Sequence, residues 1–452
     1  MPTTRPRSTT GLSTTGLSTT GLLATSLLAT GALTLALAAP ARAHENRCAP
    51  APAVPGAQKQ VAACLDDLTT AGTVASGHTV PGDYAGLHAS GTRNPSGVPG
   101  VQIDGYFPDD SAFNTHHGWN HDAQFVIRLP ERWNGGLVVA GSPGNRRQYA
   151  NDATVSDWVL DRGYAYAATD KGNSGTEFHR DGRRPGDAVA EWNRRLTELT
   201  RAAQRTAERH YGRRPSRTYA AGISNGGYLV RWQLENRPHL YDGGIDAEGT
   251  LWRADGPNLF TYLPPILRAY PPYAAGDASA HRALLDAGLA AGSEFLWPYH
   301  DQVYWELTQR IYREEFDPAY TGAEAEYDYA SRPREVRRAV GRVSLTGRIR
   351  KPLISLQGTY DALLPIGRNG DAYAALVRDR GRAPFRYYRV AGANHTDGLV
   401  DAHPGRLRPL LPCMRSAFTA LETWTSGGGA PPPSATLPEP SGDVLNTCSL
   451  TG

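Results

Sequence analysis

Gly222-Ile223-Ser224-Asn225-Gly226 is the stretch on which the fold turns. Residues 218–221, Thr-Tyr-Ala-Ala, read as a strand running into it, and residues 228–235 read as a helix leaving it. A serine on so sharp a strand-to-helix turn sits in a strained backbone conformation, and glycines on either side let neighbouring chain pass without a Cβ clash. The helix that follows aims its free N–H groups back at the serine. An ordinary Gly-rich turn would need neither the strand before it nor the helix after it.

Working outward, strand and helix signals alternate. Phe125-Val126-Ile127-Arg128-Leu129, closed by Pro130, and Gly136-Leu137-Val138-Val139-Ala140 read as strands, the second ending in Gly141-Ser142-Pro143-Gly144. Residues 155–160 look helical and stop at Gly163; residues 164–169 form the next strand and end at Asp170. Asp187 is placed to N-cap a long helix in which Trp192, Leu196, Leu199, Ala203 and Ala207 recur three or four apart, with arginines opposite. Later strands start at Ile354 and Arg386. This alternation predicts an α/β fold with a mostly parallel central sheet covered by helices. Between residues 250 and 343 it breaks, and aromatics such as Trp252, Phe260, Trp297, Trp305, Tyr312 and Phe316 crowd in. That segment reads as an inserted helical, aromatic-rich cap whose rings mostly pack its own core.

A serine hydroxyl becomes a useful nucleophile when a base takes its proton. His395 follows the strand at residues 385–390 on the loop Ala391-Gly392-Ala393-Asn394-His395, and Asp361 closes the preceding strand in Gly358-Thr359-Tyr360-Asp361. The expected catalytic set is Ser224, Asp361 and His395. Asp397 is a rival acid, but two residues from His395 it is poorly placed to reach the Nδ1 side. Two backbone N–H donors are needed for a developing oxyanion. Asn225 supplies one; Pro143 has no N–H, so Ser142 is expected to supply the other, with Gly144 behind it. Asp170 either touches substrate or caps its own loop. His116, His117 and His121 with Asp122 could suggest a metal site, but Gly118-Trp119-Asn120 is poor helix and the block precedes a strand. No metal or organic cofactor is expected.

On Gly222-Ile223-Ser224-Asn225-Gly226, Gly358-Thr359-Tyr360-Asp361 and the Asn394-His395 loop, in the order Ser, Asp, His, the chain resembles the α/β-hydrolase superfamily over roughly residues 100–420. The resemblance implies the α/β-hydrolase fold, a cap between the nucleophile and acid strands, and hydrolysis through an acyl-enzyme. Export and the strand Gly163-Tyr164-Ala165-Tyr166-Ala167-Ala168-Thr169-Asp170 are similar to tannase/feruloyl-esterase-like enzymes and 3-hydroxybutyrate oligomer hydrolases. Tannases and fungal feruloyl esterases pair a cysteine just before the serine with one just after the histidine; here Ile223 and Thr396 stand in those places.

The remaining features set compartment and partners. Residues 1–43 read as a secretory signal peptide, with Arg5 and Arg7 ahead of an apolar run at 22–39 and Ala41-Arg42-Ala43 as the cleavage pattern. An uncleaved anchor is the rival, but the run is diluted by Thr and Gly and barely reaches the ~18–20 residues of a span. Removing the segment takes Lys and Arg from 47 to 44, level with 44 Asp and Glu, which argues against a nucleic-acid partner. With 40% hydrophobic residues and only 4 cysteines, neither disorder nor a disulfide-built mini-scaffold fits. Cys48, Cys64, Cys413 and Cys448 are expected to form two disulfides in an oxidising compartment, in any of three pairings. No C-x-x-C spacing favours zinc instead.

The division expected is therefore 1–43 signal, 44–249 first part of the α/β domain, 250–343 cap, 344–425 second part, and 426–452 a Gly/Pro-rich tail stapled by a disulfide. The function expected is a secreted, extracellular serine esterase acting on hydrophobic, aromatic or short hydroxyalkanoate esters. So short a run after the Gly/Pro stretch points to soluble esters or oligomers, with no membrane partner after cleavage. A secreted serine peptidase of the same fold is the alternative, with Glu314, Glu315 or Glu324 available to hold an amine; a protein that only binds ligand is a further one. Oligomeric state is left open.

Overall fold

The computed structural model describes residues 48–109, 111, 119, 121–438 and 442–451. The segment read as a signal peptide, and His116 and His117, lie outside the described residues. Ten strands form one sheet: β1 (Lys59–Leu65), β2 (Gly100–Tyr106), β3 (Gln124–Pro130), β4 (Gly136–Gly141), β5 (Ala165–Thr169), β6 (Arg217–Ile223), β7 (Gly243–Ala247), β8 (Leu353–Gly358), β9 (Phe385–Val390) and β10 (Ala435–Leu437). Their spatial order is β1-β2-β3-β5-β4-β6-β7-β8-β9-β10. The pairs β1–β2, β2–β3 and β3–β5 are antiparallel, and every pair from β5–β4 to β9–β10 is parallel.

The residues explain the two faces. Strand side chains alternate, so Leu137 and Val139 of β4 join the core on one face while Val138 and Ala140 join the core on the other. Both faces being covered, β4 to β8 are buried apart from the half-buried Arg217, and most of their residues are Gly, Ala, Val, Ile and Leu. The helix Asp187–Tyr211 covers one face with Trp192, Leu196, Leu199, Ala203 and Ala207, all fully buried. Asp187 does not cap it. Gly186 takes the cap position at φ 83°, a left-handed conformation that glycine adopts without a Cβ penalty, and Asp187 is the first helical residue, its carboxylate accepting the Arg184 N–H at 3.1 Å.

The connection from β7 to β8 is long and helical, with helices Leu263–Ala274, Ala278–Ala287, Glu306–Phe316 and Arg334–Val343. Its rings form a contiguous cluster, Trp252 lying 4.8 Å from Phe316 and Phe260 lying 5.4 Å from Tyr327 between centroids. Disulfides join Cys48 to Cys64 and Cys413 to Cys448. The second ties the helix Leu411–Thr425 to the Gly/Pro-rich tail, but the tail is more than stapled. Its Ala435–Leu437 pairs with β9 and forms the last strand of the sheet. Among the described residues, no helix is long and apolar enough to cross a membrane.

Candidate active site

β6 delivers the chain to Ser224 at φ 60° and ψ −121°, and the helix Asn225–Asn236 starts at the next residue. A positive φ at a serine costs on the order of 1–3 kcal/mol and persists where the surroundings enforce it. Here the flanking glycines are obligatory. A Cβ on Gly222 would lie 2.5 Å from the Gly226 backbone, and one on Gly226 would lie 2.5 Å from the Gly141 carbonyl oxygen. The Ser224 N–H donates to the Ala247 carbonyl at 2.9 Å, tying the turn to the end of β7. At the end of β8, a Cβ on Gly358 would sit 2.2 Å from the Ala393 carbonyl oxygen, so glycine there lets the histidine loop lie against the aspartate loop.

The three residues singled out in the sequence come together at this edge. Ser224 Oγ lies 3.0 Å from His395 Nε2, and His395 Nδ1 lies 2.9 Å from Asp361 Oδ2. Asp361 Oδ1 accepts the N–H groups of Leu363 at 2.9 Å and Leu364 at 2.7 Å, and Oδ2 also accepts Gln357 Nε2 at 3.2 Å. Burial alone would raise the Asp361 pKa, but the facing His395 and these hydrogen bonds outweigh it and hold the carboxyl below its ordinary range. Ser224 and His395 are both buried, keeping only 8% and 7% exposure. The rival Asp397 is used elsewhere. It accepts the Leu410 and Leu411 N–H groups at 2.6 and 3.0 Å where the helix Leu411–Thr425 begins, and burial pushes its pKa up to about 6.

The loop after β4 corrects one expectation. The Ser142 N–H donates to the Thr169 carbonyl at 3.2 Å, extending the β4–β5 ladder one step past Gly141, so this amide is already committed and not free for an oxyanion. Ser142 Oγ donates to the Arg146 carbonyl at 2.6 Å and accepts from Lys171 Nζ. Gly144, at φ 51°, comes against the nucleophile turn instead, its carbonyl accepting Asn225 Nδ2 at 3.0 Å. Asn225 also donates to the Tyr312 hydroxyl and accepts from Thr250 Oγ1 at 3.1 Å, which locks its side chain while its amide heads the helix.

Asp170 is a loop cap. It accepts the Gln124 and Gly172 N–H groups at 2.9 and 2.7 Å, and burial pushes its pKa up to about 6. Its neighbour Lys171, fully buried at φ 76° and 5.1 Å over the Trp192 ring, was not picked out by the sequence; burial lowers its pKa to about 7. His121 stacks on Tyr106 at 3.9 Å, and Asp122 has its carboxylate grouped not with it but with those of Asp109 and Asp181, within 4.8 Å of one another. The three cap glutamates are all engaged: Glu315 is buried with Oε1 accepting the Val189 N–H at 3.2 Å, Glu324 pairs with Arg313 at 2.8 Å, and Glu314 faces His179 at 3.4 Å.

Sequence reasoning missed Glu248. It follows β7 at φ 54°, is fully buried, and accepts the Gly358 N–H at 2.6 Å. One signal could have found it: an acid directly after the buried strand Gly243–Ala247, at the same sheet edge as Ser224 and Asp361.

A ten-stranded, mostly parallel sheet with a serine at such a turn, a histidine and an aspartate on the loops beyond it, and a helical insertion before the aspartate strand is the α/β-hydrolase fold. Within it, residues 112–250 match the family model for tannase and feruloyl esterase, and residues 280–440 match that for 3HB-oligomer hydrolase. The chain therefore resembles carboxylic-ester hydrolases, as its motifs imply. Feruloyl esterase B from Aspergillus oryzae is 13% identical, with 83% of this chain and 88% of that one aligned at a TM-score of 0.50. An esterase from Aspergillus oryzae is 14% identical over 84% and 88%, with a TM-score of 0.51. Tannin acyl hydrolase from Aspergillus niger is 14% identical over 85% and 86%, at 0.47. No curated protein sequence matches the chain. All four cysteines are consumed in the two disulfides, away from Ile223 and Thr396.

Proposed function

We propose that the protein is a secreted serine esterase that cleaves carboxylic esters through an acyl-enzyme. Ser224 Oγ–H donates to His395 Nε2, and His395 Nδ1–H donates to Asp361, which fixes the tautomer that the chemistry needs. As Oγ attacks the acyl carbon, its proton passes to Nε2 and then to the departing alcohol oxygen. Water repeats the cycle to release the acid. The amides of Asn225 and Gly144 receive the oxyanion, and loss of one such donor costs about 3–4 kcal/mol of transition-state stabilisation. The single observation that carries this reading is the unbroken chain Ser224–His395–Asp361, with hydrogen-bond distances of 3.0 and 2.9 Å.

Substrate class follows from what borders the chain. The inserted helices reach the site through rings: Tyr312 holds Asn225, and Trp305 Nε1 donates to the Ala362 carbonyl at 2.7 Å beside Asp361. An ester with a hydrophobic or aromatic part, or a short hydroxyalkanoate oligomer, suits such a border. A peptidase would need a free acid to hold a substrate amine, and Glu314, Glu315 and Glu324 already have partners. Two disulfides favour an oxidising compartment, in keeping with export.

The test is an assay of secreted wild type beside Ser224→Ala on p-nitrophenyl esters from acetate to octanoate, methyl ferulate, methyl gallate, 3-hydroxybutyrate dimer and aminoacyl anilides. Ester cleavage that disappears in the variant supports the reading and ranks the substrates. Anilide cleavage alone selects the peptidase, and turnover surviving in Ser224→Ala removes the nucleophile.

A further inference from the structure

Glu248 is a buried acid at the site with no part in the mechanism above. Its Oε1 accepts the Gly358 N–H at 2.6 Å, while its buried Oε2 meets no N–H or O–H group among the described residues. Another carboxyl is close by: one carboxyl oxygen of Glu248, one of Asp361 and one ring nitrogen of His395 all fall within 4.8 Å of one another. Two carboxylates this close in a buried site disfavour each other's charge, so one of them holds its proton more tightly.

The hydrogen bonds decide where the charge sits. Asp361 receives two backbone N–H groups, the Gln357 amide and the His395 ring, whereas Glu248 receives one backbone N–H. The anion is favoured where donors are most numerous, so Asp361 carries the charge and Glu248 the proton. We propose that Glu248 is a positioning residue held as a carboxylic acid, donating its proton to the Asp361 carboxylate and thereby fixing that carboxylate toward His395 Nδ1. The other ionisable groups around it are Asp397 and the Tyr387 phenol of β9. Burial and the Asp361 charge act together to push the Glu248 carboxyl well above its usual range, in line with the geometry. The positive φ at Glu248 is enforced by its surroundings, its own N–H donating to the Leu356 carbonyl at 2.9 Å while its side chain holds the Gly358 N–H.

The kinetic arm of the test rests on the serine-esterase reading, and the spectroscopic arm does not. In the difference infrared spectrum between wild type and E248Q at pH 7, the wild type should show the C=O stretch of one additional protonated carboxyl. Loss of an ionised carboxylate band instead overturns the proposal, whatever the enzyme hydrolyses. In turnover, Glu248→Leu removes the donor and should lower kcat by roughly 10–100-fold with KM little changed, the effect of a slightly misplaced catalytic partner. E248Q can still accept from Gly358 and donate to Asp361, so it should restore kcat to within about 3-fold of wild type. The acid limb of its pH profile should not move, because a neutral group replaces a neutral group. A Leu variant as active as wild type, or an E248Q acid limb displaced by about one unit or more, overturns the proposal. So does activity lost on dialysis against a chelator and regained with a divalent cation, since a metal would then occupy the proton's place. Should Glu248→Leu not fold, E248Q and the infrared bands still decide the matter.

Discussion

Two regions bury acids against the same sheet and treat them in opposite ways. On β3, the Arg128 guanidinium meets Asp152 with two bonds of 2.8 and 2.7 Å, and two further N–H groups go to Gln102 and Ser156. Arg231 and Asp246 form a second fully buried pair at 2.7 Å below the end of β7. At the active edge, two residues beyond Asp246, Glu248 has no cation and lies against Asp361. Arginine neutralises a buried acid permanently and fixes the fold around it. A carboxyl neighbour leaves the charge to be settled by one proton. Asp152 and Asp246 are thus closed off with guanidinium, and the acid beside the catalytic Asp361 is left adjustable.

Several substitutions would break this comparison or sharpen it. Ser224→Ala should reduce kcat by about 10⁴–10⁶-fold with an unchanged melting temperature, measured by initial rates beside calorimetry. Asp361→Asn should lower kcat by about 10⁴-fold, because the amide no longer fixes the His395 tautomer. Breaking a structural acid should do the reverse: Asp152→Ala strands Arg128 in the core and should cost about 3–5 kcal/mol in denaturant unfolding, while kcat/KM at low temperature stays near wild type. An Asp152→Ala variant as stable as wild type would undo the contrast. Replacing Cys413 and Cys448 together by serine should cost about 2–4 kcal/mol and expose the β10 amides to hydrogen exchange first, because that disulfide ties the tail strand to the body.

Acidity supplies the smallest and most discriminating effect. Asp361 has a folded pKa below its unfolded value, so its contribution to stability is present above about pH 3.9 and is lost as pH falls through the lower folded value. Asp397, pushed up to about 6, has the opposite sign. Its contribution is complete below about pH 3.9 and lost as pH rises through 6. Asp397→Asn should therefore flatten the stability curve between these limits by about 1–3 kcal/mol, read from urea unfolding at each pH.

How much of this the sequence could show depends on how local each determinant is. Gly222, Ser224 and Gly226 announce a turn because the steric demand lies within five residues, and the Ser, Asp, His order places the other two on later loops. Buried parallel strands announce themselves as apolar runs. The two edge strands do not: β1 is Lys-Gln-Val-Ala-Ala-Cys-Leu with much of its length exposed, and β10 is three residues in a Gly/Pro-rich run that exist as a strand by pairing with β9. Ser142 was misjudged because its competitor, the Thr169 carbonyl, belongs to another strand. Glu248 was hidden for the same reason, its meaning lying in a carboxyl on the loop after β8.

The central claim is that Ser224 is the nucleophile of an esterase. The direct measurement is mass spectrometry of intact protein and its peptides after treatment with a p-nitrophenyl phosphonate, on wild type and Ser224→Ala. The account predicts one adduct per wild-type chain, located on the peptide carrying Ser224 and absent from the variant. An adduct on another residue, or ester cleavage that continues while Ser224 remains unlabelled, would contradict it.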